Sequence, residues 1–130
     1  MAVVADGKVA SALGPGVKLQ MIAVDDIGWF GARAFTDAAH LNRREIDIAG
    51  DVRTMQEAAE ILANALGRPI AFAQTPIEQL RQYSKEMATM FEWFERVGYD
   101  ADIAGLEREF GHALTKLPNW ARSHAGPNGR

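Results

Sequence analysis

One segment constrains the fold of this chain more than any other, because both of its ends carry helix signals. Thr54 and Glu57 have the spacing of a T-x-x-E capping box, which marks a helix N-terminus. Gly67 and Pro69 are residue types that end helices, the first by adopting a left-handed conformation and the second by blocking continuation. The apolar stripe between these ends consists of Met55, Ala58, Ala59, Ile61, Leu62, Ala65 and Leu66. The segment therefore predicts one amphipathic helix.

Short apolar runs with strand character lie on both sides of this helix. They cover residues 9–13, 19–24, 44–50 and 69–74, and the run at 19–24 is apolar enough for burial on both faces. A helical pattern over 27–40 separates the second run from the third. Because strands and helices alternate, this part of the chain predicts an α/β unit.

The rest of the chain carries helical patterns. Thr75 is the expected N-cap of a helix over 75–98 that breaks near Ser84. A shorter helix over 100–110 is expected to begin at Asp102. This second part is typical of a helical subdomain or lid.

The length of 130 residues fits a single domain. Residues 1–16 are small and glycine-rich, and we expect a weakly ordered N-terminal segment there. Residues 17–124 are expected to form the domain, and residues 125–130 a frayed tail.

Composition excludes several classes of function. The net charge is −3, so the chain has no general attraction to a phosphate backbone, and we expect no direct nucleic-acid partner. There are no cysteines, which excludes disulfides, thiolate nucleophiles and cysteine-based zinc sites. The N-terminus does not resemble a signal peptide, and no apolar stretch is long enough to span a bilayer. We therefore expect a cytoplasmic protein without a membrane partner.

An acidic pair, Asp25 and Asp26, follows the apolar run directly. Adjacent residues on a helix point about 100° apart, so these carboxylates cannot easily share a proton or clamp one ion. The favoured interpretation is that Asp25 caps a helix and Asp26 complements the dipole of its first turn. The alternative is an acid at the carboxyl end of a strand, where α/β sheets place their ligands.

The common catalytic and cofactor motifs are not met. Residues 14–19, GPGVKL, begin like a dinucleotide fingerprint, but the sixth position is leucine and no helix follows. The Tyr-x-x-x-Lys pair of short-chain dehydrogenases fails, because Tyr83 is followed by Met87 and Tyr99 by Ile103. The three histidines lie far apart, without metal-ligand spacing. We therefore assign no catalytic, cofactor-binding or metal-binding residue.

Methionine and aromatic residues are concentrated at 87–99, MATMFEWFERVGY. A stripe of this kind usually belongs to a core. The alternative is a hydrophobic substrate pocket or a partner surface, for which the same side chains are suited.

Several blocks of the sequence occur in an order that resembles a known family. They are LQMIAVDDIGWFGARAF, REIDIAGDVRTMQEAAEILANALGRPIAFAQTP, MFEWFERVGYDADIAGLEREFG and LPNWARSH. Together they resemble the C-terminal portion of the NmrA-like family, which are atypical short-chain dehydrogenases/reductases. The resemblance covers residues 17–124 and implies a partial Rossmann-like fold, with a few strands, helices and a mainly helical substrate subdomain.

The resemblance also implies a function. Family members carry an N-terminal Rossmann half that binds NADP or NAD through a glycine-rich loop, and nothing in this chain matches that half. We therefore expect a truncated chain that binds no dinucleotide tightly and is not active alone. The parent protein would be an NAD(P)H-dependent oxidoreductase or a redox-sensing regulator, with a small-molecule substrate or a regulatory protein as partner. The alternative is a non-enzymatic module that binds a protein or an apolar ligand.

In the family, the segment IAVDDIG borders the cleft between the cofactor and substrate regions. The residues expected near that cleft, or as walls of its pocket, are Val24, Asp25, Asp26, Trp29, Phe91, Trp93 and Phe94. A Rossmann sheet cut in half leaves strand edges and apolar faces uncovered. We therefore also expect self-association through uncovered apolar surface, or marginal stability.

Overall fold

The computed structural model describes residues 3–124, with side chains from Asp6 onward, so the expected frayed tail lies outside the described residues. In this part of the chain, strands and helices alternate first and helices follow, which confirms the α/β class. The elements are β1 (Val3–Ala5), β2 (Lys8–Ser11), β3 (Lys18–Met21), α1 (Val24–Thr36), α2 (Ala38–Leu41), β4 (Asp51–Thr54), α3 (Met55–Leu66), β5 (Ala71–Gln74), α4 (Ile77–Tyr83), α5 (Lys85–Arg96), α6 (Ile103–Phe110) and α7 (Leu117–His124).

The strands form two small sheets. In the first sheet, β2 lies in the centre, antiparallel to β1 and parallel to β5, with Val9 paired with Phe72. The second sheet is the antiparallel pair of β3 and β4, with Leu19 opposite Arg53. A parallel pair needs a long crossover, and here the chain between β2 and β5 contains the second sheet and three helices.

The N-terminal segment differs from the weakly ordered region expected over 1–16. Val9 is 1% exposed and Leu13 is 0% exposed, so this segment supplies the two largest fully buried side chains of the described part. Four of the five residues 9–13 are buried, and they coincide with the apolar run that predicted a strand there. Residues 14–17 form a turn, in which the Val17 amide donates to the Gly14 carbonyl.

The local signals for helices α3, α5 and α6 are confirmed. The Glu57 amide donates to Thr54 Oγ1 at 3.1 Å, and the Thr54 amide donates to Glu57 Oε2 at 2.9 Å, which completes the capping box of α3. Gly67 ends that helix with φ of 65°. Ser84 separates α4 from α5 and caps α5, and Asp102 caps α6.

The strand expected over 44–50 is wrong. The strand of this region is Asp51–Thr54, and residues 44–50 have no regular secondary structure. Their alternation has another cause, because Ile46 and Ile48 pack against a cluster built around α6. An alternating pattern records which side chains are buried, and here no neighbouring strand pairs with the segment.

Two helix starts also differ from expectation. Helix α1 begins at Val24 with Ala23 as its N-cap, so Asp25 is an exposed residue of the first turn rather than the cap. The expected N-cap Thr75 instead donates its amide to the Ser11 carbonyl, which extends the sheet contact, and α4 begins at Ile77. Neither helix therefore has a side-chain cap at its start.

The apolar positions of the first helix and of the strand before it are less buried than expected. Strand β3 has no fully buried residue, because its two faces are only half covered. The single helix expected over 27–40 is divided into α1 and α2 at Asp37. Phe35, an apolar residue within that expected helix, is 89% exposed.

Candidate functional site

Two adjoining cavities lie between the sheets and the C-terminal helix, and we call them together the apolar cleft. The larger cavity has a volume of about 330 Å³ and the smaller one about 230 Å³. They share Met21 of β3 and Leu117 and Trp120 of α7. The larger is further lined by Val9, Ser11, Leu19, Met55, Ala58, Leu62, Phe91 and Phe94, and the smaller by Ile22, Ala23, Val24, Asp51 and Thr115.

Helix α7 forms the outer wall of the cleft. It packs on α3, and its side chains Leu117 and Trp120 reach both cavities. Trp120 is 38% exposed and stacks on His124 with ring centroids 4.7 Å apart. The position of α7 therefore decides whether the cleft exists.

A buried aspartate in β4 anchors the start of α7. Asp51 Oδ2 accepts from the Leu117 amide at 2.8 Å and from Arg53 Nε at 3.0 Å, and Oδ1 accepts from the Val52 amide at 2.8 Å. Burial raises the pKa of Asp51, but hydrogen bonds led by that from Leu117 outweigh it and hold the pKa below its ordinary value. The Asp51 carboxylate at the edge of the cleft is therefore charged, and both of its oxygens accept hydrogen bonds from other groups of the protein.

A second buried aspartate, in α1, holds the α6–α7 loop (residues 111–116). Asp26 Oδ2 accepts from the Thr115 amide at 2.8 Å, and Oδ1 lies 3.1 Å from His112 Nε2. The His112 ring stacks on Trp29, with centroids 4.0 Å apart and planes 6° from parallel. The interpretation of Asp26 as a residue that only complements a helix dipole is therefore wrong, because its carboxylate joins two distant parts of the chain.

The pKa of Asp26 has a mixed origin. Burial raises it, but hydrogen bonds from Thr115 and His112 outweigh burial and place the pKa below its ordinary value. The carboxylate is therefore stabilised in its charged form by the contacts that fix the α6–α7 loop.

Further contacts close the same loop against β4. Lys116 Nζ donates to the Gly50 carbonyl at 2.7 Å and to Glu107 Oε1 at 2.9 Å. A Cβ at Gly50 would lie 2.9 Å from the Thr115 carbonyl oxygen, so glycine is required for this close approach. The two aspartates, Lys116 and Gly50 together hold the start of α7 over the cleft.

The residues expected around the family cleft divide into three groups. Val24 lines the smaller cavity, and Phe91 and Phe94 line the larger one. Asp26 and Trp29 lie in the contacts that hold the α6–α7 loop. The third group lies neither at the cleft nor in the loop contacts. Asp25 is exposed, and Trp93 packs against Phe94 and Tyr99.

Sequence reasoning missed Asp51, Leu117 and Trp120 as cleft residues. Nothing local marks Asp51 as buried, because its amide partner Leu117 is 66 positions away in the sequence. Trp120 carried a weak signal, as an aromatic residue on the last amphipathic helix.

The glycine turn does not fit a dinucleotide pyrophosphate. The Gly14 amide donates to Glu95 Oε1 at 2.8 Å, which places a carboxylate where a phosphate would have to bind. Among residues 3–124, no cluster of three or more histidine or acidic side chains could hold a metal ion. Within the same residues, no helix has the length and apolar character to cross a membrane.

The fold and the cleft define an α/β protein with a ligand-sized apolar cleft covered by its last described helix. The NmrA-like family matches residues 4–124, and the chain belongs to that family, which comprises NAD(P)-binding oxidoreductases and regulators. The match begins ahead of residue 17, where the resemblance in the sequence begins, and includes β2. A comparison with curated proteins found no match.

The two lowered pKa values predict an acid-sensitive fold. Below the ordinary carboxylate pKa of about 3.9, the unfolded chain binds protons that Asp26 and Asp51 in the folded chain still exclude. We expect the free energy of unfolding to be largest above that value and to fall as the pH decreases through the folded-state pKa values. Urea denaturation at a series of pH values measures this.

The control for that experiment is a pair of asparagine substitutions. The variant Asp26→Asn with Asp51→Asn should lose stability near neutral pH and depend less on pH in the acidic range. The variant with Asp25→Asn, at an exposed residue, should follow the wild type. Parallel curves for the wild type and the double variant would contradict the assignment.

Proposed function

We propose that the apolar cleft binds a neutral, largely apolar small molecule, and that the chain is the C-terminal, substrate-side part of an NmrA-like NAD(P)-binding protein. The observation that carries this proposal is the construction of the cleft. Strands β2 and β3 and helices α3, α5 and α7 each contribute apolar side chains to the larger cavity. A concave apolar site with few polar groups is typical of small-molecule pockets, which begin at about 300 Å³.

The polar groups of the cleft support binding rather than chemistry by this chain. Asp51 is engaged by two amides and an arginine, and Ser11 Oγ accepts from the Leu13 amide at 3.3 Å. These polar groups are held by hydrogen bonds within the protein, whereas a general base must be free to reach a substrate proton. We therefore propose that the reacting dinucleotide comes from outside the described residues, as it would in a truncated family member.

The parent activity would be either reduction of the bound molecule or redox-dependent regulation. In an oxidoreductase, the cleft would hold the substrate beside NADPH or NADH. In a redox-sensing regulator, it would hold an effector or a segment of a regulatory protein. The occupied Gly14 amide supports the further proposal that this chain alone binds NADPH poorly.

A second candidate is a non-enzymatic module that binds an apolar ligand or protein segment. The same engaged polar groups favour it, because they leave the cleft as a binding surface. The two candidates differ in what a dinucleotide does. A substrate-side part gains NADPH-dependent activity when a family Rossmann unit is supplied, and a binding module does not.

Binding of a neutral aromatic ketone tests the cleft. Prodan, whose emission shifts to the blue in apolar surroundings, should bind the wild-type chain saturably. Trp120→Ala removes a wall shared by both cavities and should weaken binding roughly tenfold, which corresponds to about 1.4 kcal/mol. Trp93→Ala is the matched control, because Trp93 lines neither cavity, and it should bind like the wild type.

Calorimetric titration with NADPH completes the test. We expect no binding in the micromolar range, and such binding would overturn the proposal that the dinucleotide site lies elsewhere. Equal loss of prodan binding in both tryptophan variants would overturn the assignment of the cleft. Circular dichroism on each variant distinguishes the loss of a cavity wall from unfolding of the chain.

A further inference from the structure

Helix α1 presents a largely apolar face to solvent. Val24 is 78% exposed, Ile27 is 47% exposed and Phe35 is 89% exposed. On a helix with 3.6 residues per turn, Val24, Gly28, Gly31 and Phe35 fall on the centre of the exposed arc. A surface helix normally places polar side chains there. This face, which we call the α1 face, therefore has the character of a contact surface.

The α1 face is self-complementary. Val24, Gly28, Gly31 and Phe35 are separated by successive intervals of four, three and four positions, so the pattern is the same in both directions. Two copies packed antiparallel and crossing at the helix midpoint place Phe35 of each copy against Val24 of the other. The glycines lie at the crossing, and nothing lies within 4 Å of a Cβ built at either one. We propose that the α1 face binds a second copy of this chain in this antiparallel arrangement.

Charge favours the antiparallel arrangement over the parallel one. Asp25 is the charged residue of the exposed arc of α1. A parallel pair would place the two Asp25 carboxylates side by side. In the antiparallel pair they are nine positions apart along the axis, about 13 Å at 1.5 Å per residue. That separation exceeds the Debye length of about 10 Å at 0.1 M salt, and the helix dipoles also oppose each other favourably.

The small area of the α1 face limits the affinity expected for the dimer. Helix α1 has 13 residues, and one such helix covers less than the roughly 800 Å² per partner of a standard stable interface. We therefore expect a weak dimer that depends on concentration. Val24 also lines the smaller cavity, so Phe35 of the second copy would lie beside the apolar cleft. The proposal itself does not depend on what the cleft binds.

Sedimentation of the full chain tests the dimer. The wild type should change from monomer to dimer between about 1 and 500 µM, and Phe35→Ala should weaken association roughly tenfold or more. Gly31→Leu is the decisive variant, because leucine favours the helix and has open space in the monomer but blocks close approach of a second helix. Gln82→Leu, at an exposed residue of α4, is the control and should leave association unchanged.

Cysteine cross-linking tests the direction of packing, since the chain has no cysteines of its own. A mixture of Val24→Cys and Phe35→Cys chains should form a disulfide-linked heterodimer under mild oxidation, and this heterodimer retains one native Val24–Phe35 pair. Either variant alone should form far less cross-linked dimer. The proposal is overturned by a wild type that stays monomeric, by a Gly31→Leu chain that associates at least as well, or by efficient cross-linking of Val24→Cys alone.

Discussion

Asp26→Ala is expected to lower the free energy of unfolding by about 2–4 kcal/mol, because it leaves the Thr115 amide and His112 without their partner. An unsatisfied buried donor alone costs about 1–3 kcal/mol. The adjacent Asp25→Ala should change it by less than about 0.5 kcal/mol, as for other exposed residues. Both acids stand in the first turn of one helix, so the difference measures the contacts of Asp26 and not the helix dipole.

Urea denaturation at neutral pH, followed by circular dichroism, measures both variants. If Asp26→Ala does not fold, Asp26→Asn keeps one oxygen acceptor for the Thr115 amide and should lose less stability. Equal effects of the two alanine variants would show that Asp26 acts only at the helix end. Prodan binding should weaken with Asp26→Ala as well, because the α6–α7 loop positions the wall formed by α7.

Phe91→Ala is expected to lower the free energy of unfolding by about 3–5 kcal/mol, as large-to-small substitutions of buried phenylalanines do. Phe91 is 5% exposed, belongs to the cluster that joins Leu13, Met55 and Ala58, and lines the larger cavity. Phe35→Ala is the matched control, because Phe35 is 89% exposed. The same change of side chain there should alter stability by less than about 0.5 kcal/mol.

These measurements belong at low protein concentration, where the proposed dimer contributes little to stability. Thermal denaturation by calorimetry provides a second measure. A loss below about 1 kcal/mol for Phe91→Ala would mean that the site is open enough for its neighbours to collapse into the cavity. A large loss for Phe35→Ala at low concentration would contradict the exposed position of that side chain.

The sequence patterns that predicted the structure reliably were those formed by residues close together in the chain. The capping box at Thr54, the left-handed Gly67 and the cap at Asp102 all depend on residues within four positions of one another. Hydrogen bonds of that range form in the same way in most surroundings, so their residue pattern is sufficient to predict them. The α/β class followed from the order of the elements that these signals separate.

The errors arose where distant contacts replaced local ones. The alternation of Ile46 and Ile48 reports burial against the α6 cluster, and only the fold reveals that no strand lies beside it. Thr75 has the residue type of an N-cap, but Pro76 is the N-cap of α4, and the Thr75 amide donates to the distant Ser11 carbonyl. Asp26 has the sequence context of a helix start, while its partners are 86 and 89 positions away.

The sequence by itself determined where α3, α5 and α6 begin, the α/β class and the family, because these follow from short-range patterns and their order. Only the tertiary structure decided that Asp26 and Asp51 are buried anchors, that α7 covers an apolar cleft, and that Phe35 faces solvent. The physical reason is that burial and hydrogen bonding at these residues are supplied by parts of the chain that lie far away in the sequence.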